Sequence, residues 1–205
     1  MSHHRPISLS LRAAATAAML LSLSSCSDLA LPANELVAIS DLLVLSQRAN
    51  APAPVSRSFW VSNSRTSVER LNHPDAFNTL YLELAFPARS LDSLDDAPLA
   101  DGDSVYVTVS TRLGAYGFTL SPSGLVFSAG SEPSATFSFS VYGDASARSA
   151  SSKYTTNAEF VAALDIWREV SVDRWQVAPN SRPSGIDAII STVEASGLFV
   201  LAAPR

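Results

Sequence analysis

The stretch "TLYLELAF", residues 79–86, alternates with a period of two. Leu80, Leu82, Leu84 and Phe86 fall on one face, and Tyr81, Glu83 and Ala85 on the other. Successive side chains of a strand point to opposite sides of its sheet, so this spacing predicts a strand with one face in a core. The pattern recurs on both sides of it. "SVYVTVST" (104–111) sets Val105, Val107 and Val109 inward against Ser104, Tyr106 and Thr108. "SATFSFSVYG" (134–143) lines up Phe137, Phe139 and Val141, and "SFWVSN" (58–63) is a further short strand. "GFTLSPSGLVFS" (117–128) reads as two strands about a Pro-Ser-Gly turn, with Gly124 free to adopt positive φ. "GIDAIISTVEASGLFVLAAP" (185–204) reads as strand, Ser-Gly turn, strand. Many short strands with turn residues between them predict an all-β fold, a single antiparallel β-sandwich over residues 56–205.

In general architecture such a sandwich is immunoglobulin-like, and the flanking segments read less sharply. "NAEFVAALDIWREV" (157–170) has helical character in places and is read as strand from Leu164 to Val170. "NELVAISDLLVLSQR" (34–48) fits a brief helix capped by Asn34, with Leu36, Ile39 and Leu43 at helical spacing, or a brief strand. "ANAPAPVSR" (49–57) reads as a semi-rigid extended linker because of Pro52 and Pro54, which makes residues 26–55 a tether with one short element. "GDASARSASSKYTTNA" (143–158) reads as a mobile surface loop.

Composition narrows the function classes. Hydrophobic residues at 47% and charged residues at 16% supply a sizeable core. A formal charge of −5, with scattered arginines and Lys153 as the sole lysine, argues against a nucleic-acid partner, which requires a concentrated basic face. The single cysteine, Cys26, leaves no internal disulfide and no multi-cysteine zinc site. No cofactor is expected.

That cysteine has a distinctive setting. Arg5 and Arg12 make a positive leader, Ala13 to Leu23 is mostly apolar but shorter than the roughly 20 residues of a membrane span, and small residues follow. Residues 1–25 therefore read as a secretory signal peptide, and His3 and His4 leave with it. Leu23-Ser24-Ser25-Cys26 resembles the bacterial lipobox, an aliphatic residue and two small ones before a cysteine. The resemblance implies cleavage before Cys26, diacylglycerol on its thiol, and further acylation of the new amine. Each buried methylene contributes about 0.8 kcal/mol, so two or more chains give lasting attachment to a membrane. Ser27 resembles the outer-membrane sorting pattern, although Asp28 sits one place later. The expected location is the bacterial envelope, outer membrane before inner.

The body also resembles the β-sandwich domain shared by zonula occludens proteins, netrin receptors and ankyrins. The matching steps are "FPARSL" (86–91), "LSPSGLVFS" (120–128) and the closing "RWQVAP…TVEASGLFVLAA", together spanning roughly residues 65–203. Two features depart from it: the proline before the following strand is offset in "GSEPSATFSFS", and Ala195-Ser196-Gly197 replaces a usual His-Phe-Ser turn. The resemblance implies binding and scaffolding, brings no catalytic residues, and points to an envelope protein as partner.

Few constellations suggest chemistry. Asp92, Asp95, Asp96, Asp101 and Asp103 supply the oxygen ligands a calcium ion wants, but without helix–loop–helix spacing. His73 and Asp75 with a serine would form a hydrolase triad, yet Pro74 restricts His73 to extended backbone and no G-x-S-x-G elbow presents the serine. Trp60, Trp167 and Trp175 would stack on sugars if exposed on one face, and would otherwise be core or rim residues. Asp165, Glu169 and Asp173 recur at four-residue intervals, which matters only on a helix. The sequence thus favours a non-catalytic, lipid-anchored interaction module, with calcium- or glycan-binding lipoprotein as the alternative and envelope hydrolase behind it.

Overall fold

The computed structural model describes residues 35–205. The alternating stretches become the two faces of a sandwich. One sheet contains β1 (Leu42–Val44), β3 (Arg57–Ser62), β8 (Ser104–Thr111), β9 (Gly117–Ser121), β13 (Asp165–Ser171), β14 (Arg174–Val177) and β17 (Gly197–Pro204). Its order is β14-β13-β17-β9-β8-β3, with β1 pairing to the end of β17. The opposing sheet runs β15 (Arg182–Gly185), β16 (Ala188–Thr192), β11 (Ser134–Ser138), β5 (Leu80–Phe86), β4 (Ser67–Asn72). A small sheet of β10 (Leu125–Phe127), β6 (Leu91–Leu94) and β7 (Ala97–Pro98), and a ribbon of β2 (Ser46–Gln47) with β12 (Gly143–Asp144), complete it. Every pairing is antiparallel, and the fold is the all-β sandwich read from the sequence.

Val105, Val107 and Val109 are buried as their alternation requires, and Phe59, Phe118 and Phe199 join them from the same sheet. Across the core stand Leu82, Leu84, Phe86 and Phe137; Phe59 meets Phe86 with ring centroids 5.7 Å apart, and Phe118 meets Phe137 at the same separation. Burying one such side chain contributes about 1.5–3 kcal/mol, which makes this double layer the main source of stability.

Several local expectations change. Tyr81, placed with Glu83 on the outer face by strict alternation, is wholly buried. Leu71 pairs with Leu82 and Asn72 with Leu80, so Tyr81 is the extra residue of a bulge, and the bulge turns it inward. Val141 is exposed rather than in line with Phe137, because β11 ends at Ser138 and the chain turns. The strands of 117–128 and of 185–204 are present, but β9 and β10 lie in different sheets, as do β16 and β17. Residues 143–158 are not a free loop. They form β12, a 3₁₀ turn at Ala145–Ala150, and a Thr156–Glu159 capping box that opens helix α1 (Asn157–Ala162). Gly143 is required there, since a Cβ would lie 2.6 Å from the Phe139 carbonyl oxygen. The helix precedes β13, as the mixed character of 157–170 suggested.

The largest change is at the N-terminal side. Residues 34–48 resolve as strand after a 3₁₀ turn at Ile39–Asp41 (Asn34 lies outside the described residues), and the folded body reaches back past residue 56. Leu42, Leu43 and Leu45 are buried, and Gln47 donates from Nε2 to the carbonyls of Arg112 and Ala115. The Pro-rich linker is tied down too: the Pro54 carbonyl accepts from Thr111 Oγ1 at 2.8 Å and the Val55 amide donates to Asn72. Residues 37–41 pass from the edge of β14 to β1, which lies in the sheet beside β17, and Val37, Ile39 and Val44 pack on an outer-face cluster of Leu42, Trp167, Trp175, Val200 and Ala202. No described helix is long and apolar enough to cross a membrane.

Candidate functional site

The five aspartates of 91–104 do not converge. Asp95 and Asp96 form the two-residue connection between β6 and β7, both at positive φ (49° and 64°), the geometry of a tight hairpin turn. Gly124 sits against this turn at φ +76°, and a Cβ there would collide with the Asp95 carboxylate. Asp103 accepts from the Ala100 amide at 2.7 Å, closing its own turn, and Asp101 stands 3.8 Å from Arg89 on an exposed surface. Asp92 is exposed on β6. Among the described residues no three His, Cys, Asp or Glu side chains gather as metal ligands. The convergence that a calcium site requires is not present among these five described residues; Asp95, Asp96 and Asp103 lie in turns.

His73 is fully buried, and its Nδ1 lies 2.6 Å from the Pro52 carbonyl oxygen. A carbonyl only accepts, so Nδ1 is the donor. Nε2 is closed off from solvent with no partner, and the Tyr142 and Tyr81 rings stand 4.5 and 5.4 Å from the imidazole. Asp75 turns elsewhere. Its carboxylate accepts from the Phe77 and Thr79 amides, from the Thr79 hydroxyl, and from Tyr142 Oη at 2.8 Å. The hydrolase triad is not assembled: the imidazole is spent on the backbone and the carboxylate on a loop.

This loop lock has a pH signature. Hydrogen bonds from Thr79 first, then Tyr142 and Phe77, hold the Asp75 carboxyl down to about 2. A carboxylate whose folded-state value is depressed contributes stability above its ordinary range, and that contribution is lost as pH falls through the folded value. Denaturant unfolding of wild type is expected to weaken between about pH 5 and pH 2, and Asp75→Asn to be less stable at neutral pH with a flatter acid limb. Equal acid limbs would contradict the assignment.

The tryptophans separate into two groups. Trp167 and Trp175 are 1% and 3% exposed beneath residues 37–44, and Trp167 Nε1 donates to the Ala202 carbonyl at 3.0 Å. They are structural. Trp60 is 60% exposed and lies on the outer face of β3, paired across to Tyr106 of β8 with ring centroids 5.2 Å apart. Asp165, Glu169 and Asp173 fall on a strand and its turn, so no helical face unites them. Asp173 accepts from the Ile39 amide at 2.9 Å and Glu169 from the Asp173 amide, which fastens residues 37–41 onto the sheet. Asp165 is pushed up by burial, with a hydrogen bond from Ser181 opposing.

Sequence reasoning passed over two groups. Tyr81 Oη, deep in the core, donates to the Gly117 carbonyl at 2.7 Å and accepts from the Gly117 amide at 2.8 Å, and burial raises it far above an ordinary phenol. Tyr106 reads from the sequence as an outward strand residue, and its place opposite Trp60 is set by the β3–β8 register that the structure shows. Cys26, with Leu23, Ser24, Ser25 and Ser27, lies outside the described residues. Compared with protein-family models, curated proteins and solved structures, the chain matches none.

Proposed function

We propose that this chain is a lipoprotein of the bacterial envelope, held to a membrane by lipid on Cys26 and serving as a non-catalytic binding module. The observation that carries the reading is the lipobox-like Leu23-Ser24-Ser25-Cys26 behind a short positive and apolar leader. Ser27 supports the outer membrane as destination. The resemblance to the sandwich of zonula occludens proteins, netrin receptors and ankyrins supports interaction rather than reaction. A lipid tether raises the local concentration of a weak binder near its partners, so a modest surface suffices.

The test is fractionation of cells expressing wild type and Cys26→Ala, with metabolic labelling by a fatty acid. Wild type is expected to label and to co-sediment with outer membranes. Cys26→Ala is expected to lose the label and to run, with its leader uncleaved at this site, as a longer chain. Labelling that survives the substitution would overturn the proposal. Crosslinking in the envelope, followed by capture of the tethered chain, would identify the partner.

A further inference from the structure

The outer face of the larger sheet is divided. Over β17, β13 and β14 it is apolar and packed by Val37 and Ile39 of the segment leading into β1; over β3, β8 and β9 it is open. The open half has a narrow chemistry. Its centre is the Trp60–Tyr106 cross-strand pair, 60% and 53% exposed. Around it the register places hydroxyls: Ser58 opposite Thr108, Ser62 opposite Ser104, and Ser121 next to Thr108 on β9. Ser58 and Thr108 join through their oxygens at 2.8 Å. No Asp, Glu, Lys or Arg occupies these outward positions of β3, β8 and β9.

Two aromatic rings set among neutral hydroxyls fit one kind of ligand. The C–H faces of a pyranose stack on aromatic rings, and its hydroxyls exchange hydrogen bonds with serine and threonine. The absence of charge on the patch disfavours polyanions and charged peptides, which need opposite charge nearby. The rings are tilted by 53° and their centroids are spaced by about the advance of one sugar along a β-1,4-linked chain. Planes so tilted cannot both lie on a flat crystalline surface, which leaves a single strand as the form of glycan they would meet. We propose that Trp60 and Tyr106 form a binding platform for a neutral β-1,4-linked glycan strand. This rests on reading the body as a binding module and is independent of the anchor.

The remaining tryptophans are buried, so Trp60 alone among the three is open to solvent and ligand. Intrinsic fluorescence of the full chain in detergent is titrated with the β-1,4 hexamers of N-acetylglucosamine and of glucose. A saturable change with at least one hexamer is expected, together with protection from acrylamide quenching. By isothermal calorimetry, Trp60→Ala is expected to weaken binding about tenfold or more and Tyr106→Ala several-fold, with far-ultraviolet circular dichroism unchanged, as suits exposed positions. No saturable response to either hexamer, or equal affinity in Trp60→Ala, would overturn the proposal. Sedimentation showing a dimer that Trp60→Ala dissolves would also overturn it, assigning the patch to a second copy. A chain that fractionates with membranes yet ignores both hexamers would sink the glycan alone. A chain that binds sugar and carries no lipid would sink only the anchor.

Discussion

A chain trimmed to begin at Ser56 is expected to lose most of its stability. The trimmed segment contains Leu42, Leu43 and Leu45, all buried, and each contributes about 1.5–3 kcal/mol by its burial. Its removal also cuts the main-chain bonds from Leu45 to Leu201 and from Tyr116 to Leu45, which close the end of the larger sheet. Trp167 and Trp175 would then face water. The sum is about 5–9 kcal/mol, comparable to the whole stability of a typical domain of 5–15 kcal/mol. Guanidinium unfolding of chains beginning at residues 35 and 56 measures the difference. The longer one is expected to unfold cooperatively, and the shorter to be unfolded or to bind a hydrophobic dye without denaturant. Similar midpoints for the two would show that residues 42–47 merely lie on the body.

Asn63→Leu is expected to cost about 2–6 kcal/mol, although the two side chains have the same number and branching of heavy atoms. Asn63 is buried just beyond β3, and its amide reads both ends of one peptide unit pair. Oδ1 accepts from the Leu91 amide at 2.7 Å, and Nδ2 donates to the Leu91 carbonyl at 2.9 Å. A second Nδ2 bond reaches the Ala100 carbonyl at 3.2 Å. Leucine satisfies none of these, and each buried group left without a partner costs about 1–3 kcal/mol. Ala100 is exposed and can turn to water, so the loss falls on Leu91. Asn63→Asp separates the two roles. It keeps the acceptor but sets a carboxylate against the Leu91 and Ala100 carbonyls. Burial and these dipoles raise its folded-state value, so its stability is expected to be fuller below about pH 4 and to fall as pH rises. Denaturant midpoints across pH check both; a neutral Asn63→Leu would refute the assigned role.

The parts of the fold that were legible are those in which neighbours along the chain share one environment. β8 could be read from its valines because both its faces behave uniformly along its length. β5 was read with the correct face but one wrong residue, because a bulge is decided by the partner strand: the extra residue Tyr81 lies opposite the Leu71–Asn72 step. Residues 37–47 stayed ambiguous because their apolar density serves two surfaces, the core through Leu43 and Leu45 and the outside of the sheet through Leu42 and Val44. A single periodicity cannot describe that. Asn63 reads only as the polar end of the strand "SFWVSN", and its bonds to a segment 28 residues away leave no local trace. At the candidate site, the exposure of Trp60 and the burial of Trp167 follow from where residues 37–44 come to rest. The three tryptophans therefore could not be sorted from the sequence.

The path of residues 37–44 also determines how the body meets mechanical load. Among the described residues, tension applied from the N-terminal side arrives first at the Val37–Trp175 bridge, a reciprocal pair of main-chain bonds at 2.9 and 2.8 Å. It passes next to the single bond from Ile39 to Asp173, and only then to the ladder between β1 and β17. Contacts met in series yield one at a time, whereas the pairings of the sandwich share their strain. Under the proposed anchoring, load from the leading end would therefore test the Val37–Trp175 and Ile39–Asp173 contacts before the β1–β17 ladder.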